Sequence, residues 1–184
     1  DRDSTDYLDR RVAAAIQRAL REDAGDLLVF LPGAGEIRRV ESLLGGKIAA
    51  QLHPLYGDLP REAQEHAIQP APAGQRKVVL ATNIAETSLT IEGIRVVIDA
   101  GLERRNVFDP RSGMNRLETV SISQASADQR RGRAGRLAPG VCYRLWTEAQ
   151  QRSLAAHTPA EIVSADLAPL ALELACWGTR DPAE

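Results

Sequence analysis

Apolar positions divide the chain into alternating helix-like and strand-like stretches. From Thr5 to Asp23, the residues Leu8, Val12, Ala15, Ile16, Ala19 and Leu20 recur at helical spacing with arginines between them, which predicts an amphipathic helix with one buried face. Leu27 to Leu31 (LLVFL) is an unbroken apolar run closed by Pro32-Gly33, the pattern of a strand covered on both faces. Helical spacing resumes from Glu36 to Leu44 and stops at Gly45-Gly46. A strand over Ile48 to Leu55 and a short helix over Arg61 to Ile68 follow, then a loop from Gln69 to Gly74. Val78 to Thr82 and Ile94 to Gly101, rich in Val and Ile, read as further buried strands. This alternation predicts an α/β fold in which a parallel β-sheet is flanked by helices.

Beyond Gly101 the rhythm changes. Two β-prone pieces between Arg104 and Ser121 flank Asp109-Pro110-Arg111-Ser112-Gly113, which predicts a β-hairpin insertion. A helix over Ser126 to Gly132, a strand over Val141 to Trp146, and helices over Glu148 to Ala156 and Asp166 to Cys176 complete the pattern. At 184 residues and 43% hydrophobic content the chain can bury a core of its own, so disorder and coiled coil are set aside. No apolar run approaches the ~20 residues that span a bilayer, and the first residues have neither the basic nor the apolar region of a signal peptide. A cytoplasmic location with no membrane contact is expected. Cys142 and Cys176, without CxxC spacing, read as reduced and buried. The chain begins with Asp and reads as a piece of a longer protein, with residues 1–157 as one domain and 158–184 opening another.

The formal net charge of −2 conceals an uneven distribution, because between Arg104 and Arg136 eight arginines stand against three acids. The strongest signal is QRRGRAGR, Gln129 to Arg136, where Gly132 and Gly135 separate Arg130, Arg131, Arg133 and Arg136. Glycines let the backbone approach a bulky anion while guanidinium groups grip it bidentately, as a nucleotide triphosphate would require. A solvated arginine run accounts for the charge but not for the glycines. The second signal is ATNIAETSLTIEG, Ala81 to Gly93, beyond the carboxyl end of a strand, where parallel sheets bind ligands; a capped polar connection accounts for it equally well. There is no phosphate loop: Gly45-Gly46-Lys47 is followed by Ile48 instead of a hydroxyl residue, and Gly33-Ala34-Gly35 fails as GxGxxG at Arg38. DExH and DExD boxes are also missing. The arginines make sense if the rest of an ATPase site lies on another domain and they act across a cleft.

ATNIAETSLTI and QASADQRRGRAGR resemble motifs V and VI of DEAH-box helicases of superfamily 2, with Gln129 where DEAD-box proteins carry His. LVFLPG (Leu28 to Gly33) resembles motif IV, LHPLYGDLP (Leu52 to Pro60) motif IVa, and VVIDAGLER (Val97 to Arg104) the segment after motif V; the likeness covers about residues 20–178. The resemblance implies a RecA-like fold, the second of two, with ATP and Mg2+ held jointly with a first RecA-like domain of the same protein. Single-stranded RNA, or DNA, is the implied nucleic-acid partner. By the same likeness Gln129 would orient the attacking water, and Arg133 and Arg136 would contact the γ-phosphate, with Arg136 as the principal finger. Arg130 and Arg131 would act structurally or indirectly. Ser88 and Thr90 would sense the nucleotide state, and Glu92 would lie near the ribose. Thr82 and Asn83 would bind the RNA backbone, and Arg104 and Arg105 of the hairpin would touch phosphates.

The pattern departs from eukaryotic relatives at Ile68, where they stack a base on an aromatic residue. TPAEIVSADLAPLALELACWG resembles the opening of the family's winged-helix domain. His53, His66, His157, Trp146 and Trp177 read as packing residues, and Asp99 and Glu103 do not read as an acid/base pair. The rival to a helicase half is a noncatalytic RecA-like module that grips nucleic acid or a partner.

Overall fold

The structure, a computed structural model, describes residues 2–87, 89–109, 111–135, 139–160 and 167–178. Ser88 and Arg136, both implied above as site residues, lie outside the described residues. In chain order the elements are α1 (Arg2–Glu22), β1 (Asp26–Phe30), α2 (Ala34–Leu44), β2 (Gln51–Leu55), α3 (Arg61–Ile68), β3 (Lys77–Ala81), β4 (Ile94–Asp99), β5 (Leu102–Asp109), β6 (Met114–Ser121), α4 (Gln124–Gly132), β7 (Val141–Arg144), α5 (Glu148–Ser153) and α6 (Ala168–Cys176). Five strands form one parallel sheet in the order β2-β3-β1-β4-β7, and β5 and β6 pair as a separate two-stranded hairpin. This is the expected α/β sheet with its β-hairpin insertion. The chain divides into two compact units, Asp1–Glu103 with Thr119–Thr158, and Arg104–Glu118 with Pro159–Glu184.

The unbroken apolar run of β1 is explained by the two faces it serves. Leu27, Val29 and Leu31 join Val78, Leu80, Val96 and Ile98 beneath Val12, Ile16, Ala19, Ile37, Val40 and Leu44 of α1 and α2. Leu28 and Phe30 point the other way, with Val79, Ala81 and Val97, against Ala67 of α3 and Ala85 and Ala134 beyond the sheet. Each fully buried leucine or phenylalanine contributes about 1.5–3 kcal/mol by leaving water. The two apolar layers hold the sheet so that the loops after β1, β3 and β4 emerge at one carboxyl edge.

Side chains from the start of β3 complete the ends of the neighbouring helices. Arg76 Nη1 donates to Leu20 O of α1 at 2.9 Å, and its Nε donates to Gly25 O at 2.8 Å. Lys77, 1% exposed, donates from Nζ to Ala67 O at 3.1 Å and to Gln69 O, so a buried cation meets the carbonyl end of α3.

Several boundaries differ from the sequence reading. β2 begins at Gln51 instead of Ile48 because its ladder partner starts at Lys77, opposite Gln51. Its Pro54 is tolerated because β2 is an edge strand. α4 begins at Gln124 instead of Ser126, capped by Ser123, whose Oγ accepts from Ser126 N–H at 3.1 Å. α5 ends at Ser153 and not at Ala156, because the next carbonyls turn toward α4. Both cysteines are free, but only Cys142 is partly covered; Cys176 is exposed, and so is Trp177 at 79%. No described helix is long and apolar enough to cross a membrane.

Candidate functional site

The site is built at and below the carboxyl edge of the sheet. After β3, Thr82 leads into a single 3-10 turn, Asn83–Ala85, and the chain then crosses the sheet face to Gly93, where β4 begins. α4 runs beside this crossing loop, and its arginines bind it. Arg130, 1% exposed, donates from Nε to Glu86 Oε2 at 3.0 Å and from Nη1 to Asp99 Oδ1 at 3.0 Å, with its guanidinium 4.8 Å from the Phe30 ring centre. One cation therefore joins the crossing loop, the end of β4 and the central strand. Burial pushes the Asp99 carboxyl upward, opposed by Arg130 and by the Gly101 N–H that donates to Oδ1 at 2.9 Å. Among the described residues Asp99 Oδ2 has no hydrogen-bond donor, so the carboxylate depends on Arg130 for compensation.

Arg133, which caps the C-terminus of α4, is 8% exposed. Its Nε donates to Glu86 O at 2.8 Å, Nη2 donates to the same oxygen, and Nη1 donates to Leu89 O at 2.7 Å. Here it braces the loop that carries Thr90, and its guanidinium faces those carbonyls. Arg131 is exposed beside Asp128 at 3.6 Å, and Asp128 also pairs with Arg144 at 2.9 Å. The internal role of Arg130 agrees with the sequence reading.

Gln129, unlike Arg130, is exposed. It lines a cleft of about 450 Å³ together with Asn83, Glu86, Thr87, Ser126 and His157. The structure thus brings Gln129 and Asn83 to one cleft and ties Arg133 to the loop bearing Thr90. Thr82 is half-buried where the loop leaves β3. Glu92 is exposed next to Gly93, whose carbonyl accepts from Asp26 N–H at 3.1 Å, at the amino edge of the sheet and away from the cleft. Arg104 and Arg105 sit on β5 in the other compact unit. Among the described residues no group of three or more His, Cys, Asp or Glu side chains is placed to hold a metal ion.

Sequence reasoning missed Glu86, Asp99 and His157. Glu86 lay inside a recognised motif without a partner to give it meaning, and Asp99 was readable only as the polar end of an apolar strand. His157 had no spacing signal at all; the fold alone carries it to Gln129.

Comparison with known proteins fits this geometry. Residues 10–138 match the helicase conserved C-terminal domain. The ATP-dependent RNA helicase HrpB of Escherichia coli is 53% identical over 178 residues, covering 96% of this chain and 22% of the relative. The pre-mRNA-splicing factor ATP-dependent RNA helicase prp22 of Schizosaccharomyces pombe is 45% identical, covering 96% of this chain and 16% of the relative. Crystal structures of the Escherichia coli DExH-box NTPase HrpB and DEAH/RHA helicase HrpB superpose with TM-scores of 0.88 and 0.90 at 54% and 53% identity, covering 95% and 96% of this chain and 22% and 23% of theirs. The chain therefore spans about a fifth of the length of these relatives. The DEAH-box likeness and the RecA-like fold are borne out, and the chain belongs to the helicase conserved C-terminal domain family.

Proposed function

We propose that this chain is the C-terminal RecA-like half of an ATP-dependent RNA helicase, working with a first RecA-like domain that holds the phosphate loop and Mg2+. The observation that carries the proposal is the brace between α4 and the crossing loop. Arg130 and Arg133 bind Glu86 and Leu89, while Gln129 from the same helix shares a cleft with Asn83 from the same loop. A shift of the nucleotide-facing helix therefore moves the loop expected to grip nucleic acid, which is the coupling a stepping motor needs.

In this reading ATP supplies the γ-phosphate and the leaving group. Gln129, exposed at the cleft, orients water, and Arg136 delivers positive charge across the domain cleft. Arg133 reaches phosphate only by exchanging its carbonyl partners, so its first duty is to hold the Thr90 loop, where Ser88 and Thr90 sense the nucleotide. Thr82 and Asn83 contact the sugar-phosphate backbone, with Arg104 and Arg105 adding phosphate contacts.

Steady-state ATP turnover by the full-length parent with single-stranded RNA and single-stranded DNA is the test. RNA stimulation should be the larger. Asn83→Ala should raise the RNA concentration for half-stimulation several-fold, with saturated turnover little changed. Absence of turnover would favour a noncatalytic gripping module, and larger stimulation by DNA would favour a DNA helicase.

A further inference from the structure

α4 has no spare amide at its start. The first amides of an α-helix lack intrahelical acceptors and must find partners elsewhere. Here Gln124 N–H donates to Ala155 O at 2.8 Å and Ala125 N–H to Ala156 O at 3.1 Å, both in the segment after α5. Ser126 N–H donates to Ser123 Oγ at 3.1 Å, and Thr158 Oγ1 donates to that same oxygen at 3.1 Å. The Gln124 side chain adds a bond from Nε2 to Leu154 O at 2.9 Å. Leu154 to Thr158 therefore lies across the head of α4 as a strap, and His157 and Thr158 line the cleft that holds Gln129.

We propose that this strap is a positioning device, in which Gln124 and Thr158 hold α4 along its axis and so set where Gln129 stands. The inference rests on the water-orienting role given to Gln129 above. Two of the helix's unpaired amides depend on strap carbonyls, and the third is capped by a hydroxyl that Thr158 holds in place. With these lost, the first turn frays and Gln129, little more than one turn onward, shifts; a displacement of 1 Å at a reacting group costs up to about a hundredfold in rate.

The test uses the full-length parent carrying Gln124→Met with Thr158→Val, and separately Thr158→Ser, which keeps the hydroxyl. Hydrogen exchange is read at the amides of Gln124, Ala125 and Ser126, and RNA-stimulated ATP turnover is measured alongside. The double variant should exchange about tenfold faster at these amides. Its kcat should fall about tenfold with KM for ATP within about twofold and Tm nearly unchanged, a split that general loss of structure does not produce. Thr158→Ser should match wild type in both readouts. Unchanged exchange in the double variant would show that the strap does not hold α4, and faster exchange with unchanged kcat would show that it does not position Gln129; either overturns the proposal. A wild-type parent without ATP turnover would instead overturn the functional reading and the catalytic part of this one, while exchange still decides whether the strap holds the helix.

Discussion

Removing the Arg130 guanidinium strands two acids at once, since Asp99 is 1% exposed at the side chain and Glu86 14%. Arg130→Ala should destabilise the domain by about 3–5 kcal/mol, because breaking a buried ion pair from one side leaves an uncompensated charge. Urea unfolding of this domain measures it, and a loss below about 1 kcal/mol would contradict the role given to Arg130. His53 gives a pH signature. Burial, with the Lys77 and His66 cations, holds its imidazole below the ordinary 6.5 against the pull of Asp26. As pH falls through 6.5 the unfolded chain takes up the proton before the folded one, so stability falls with it. His53→Gln should flatten that limb of the curve of Tm against pH. The cysteines should separate chemically: burial pushes the Cys142 thiol to about 11, while Cys176 is exposed, so mild alkylation at neutral pH should label Cys176 first.

At the scale of elements, glycine at the end of β4 has a steric reason. Gly101 has φ of +76°, and a Cβ there would lie 2.7 Å from the Trp146 ring. Gly101→Ala combines left-handed strain with overpacking and should cost about 2 kcal/mol or more, read as a lowered unfolding midpoint. Helices and strands were largely legible in the sequence because apolar spacing records which faces are covered: β1 and β4 are buried on both sides, and α1 carries its stripe at Val12, Ile16 and Ala19. What was not legible depended on partners distant in sequence. The start of β2 is set by Lys77, the end of α5 by amides of α4, and the meeting of Glu86 with Arg130 spans a stretch that includes the whole hairpin. Nothing in the linear pattern brings His157 to the cleft that Gln129 lines, and there it is exposed instead of packed.

At the scale of the whole molecule, the arginine motif was visible from its glycines, but the division of labour within it was not. Arg130 is an internal strut, Arg131 faces solvent beside Asp128, and Arg133 braces the crossing loop. That division leaves Gln129 and Arg136 as the groups proposed to act on a nucleotide held by another domain. The 184-residue chain alone should therefore fold without hydrolysing ATP. The most direct test is ATP turnover with saturating single-stranded RNA, comparing the full-length parent, its Arg136→Ala variant and this chain alone. The account predicts RNA-stimulated turnover in the parent, a loss of about 10³ or more in the variant, as for an arginine finger, and none in the isolated chain. Turnover by the isolated chain, or a parent indifferent to Arg136→Ala, would contradict it.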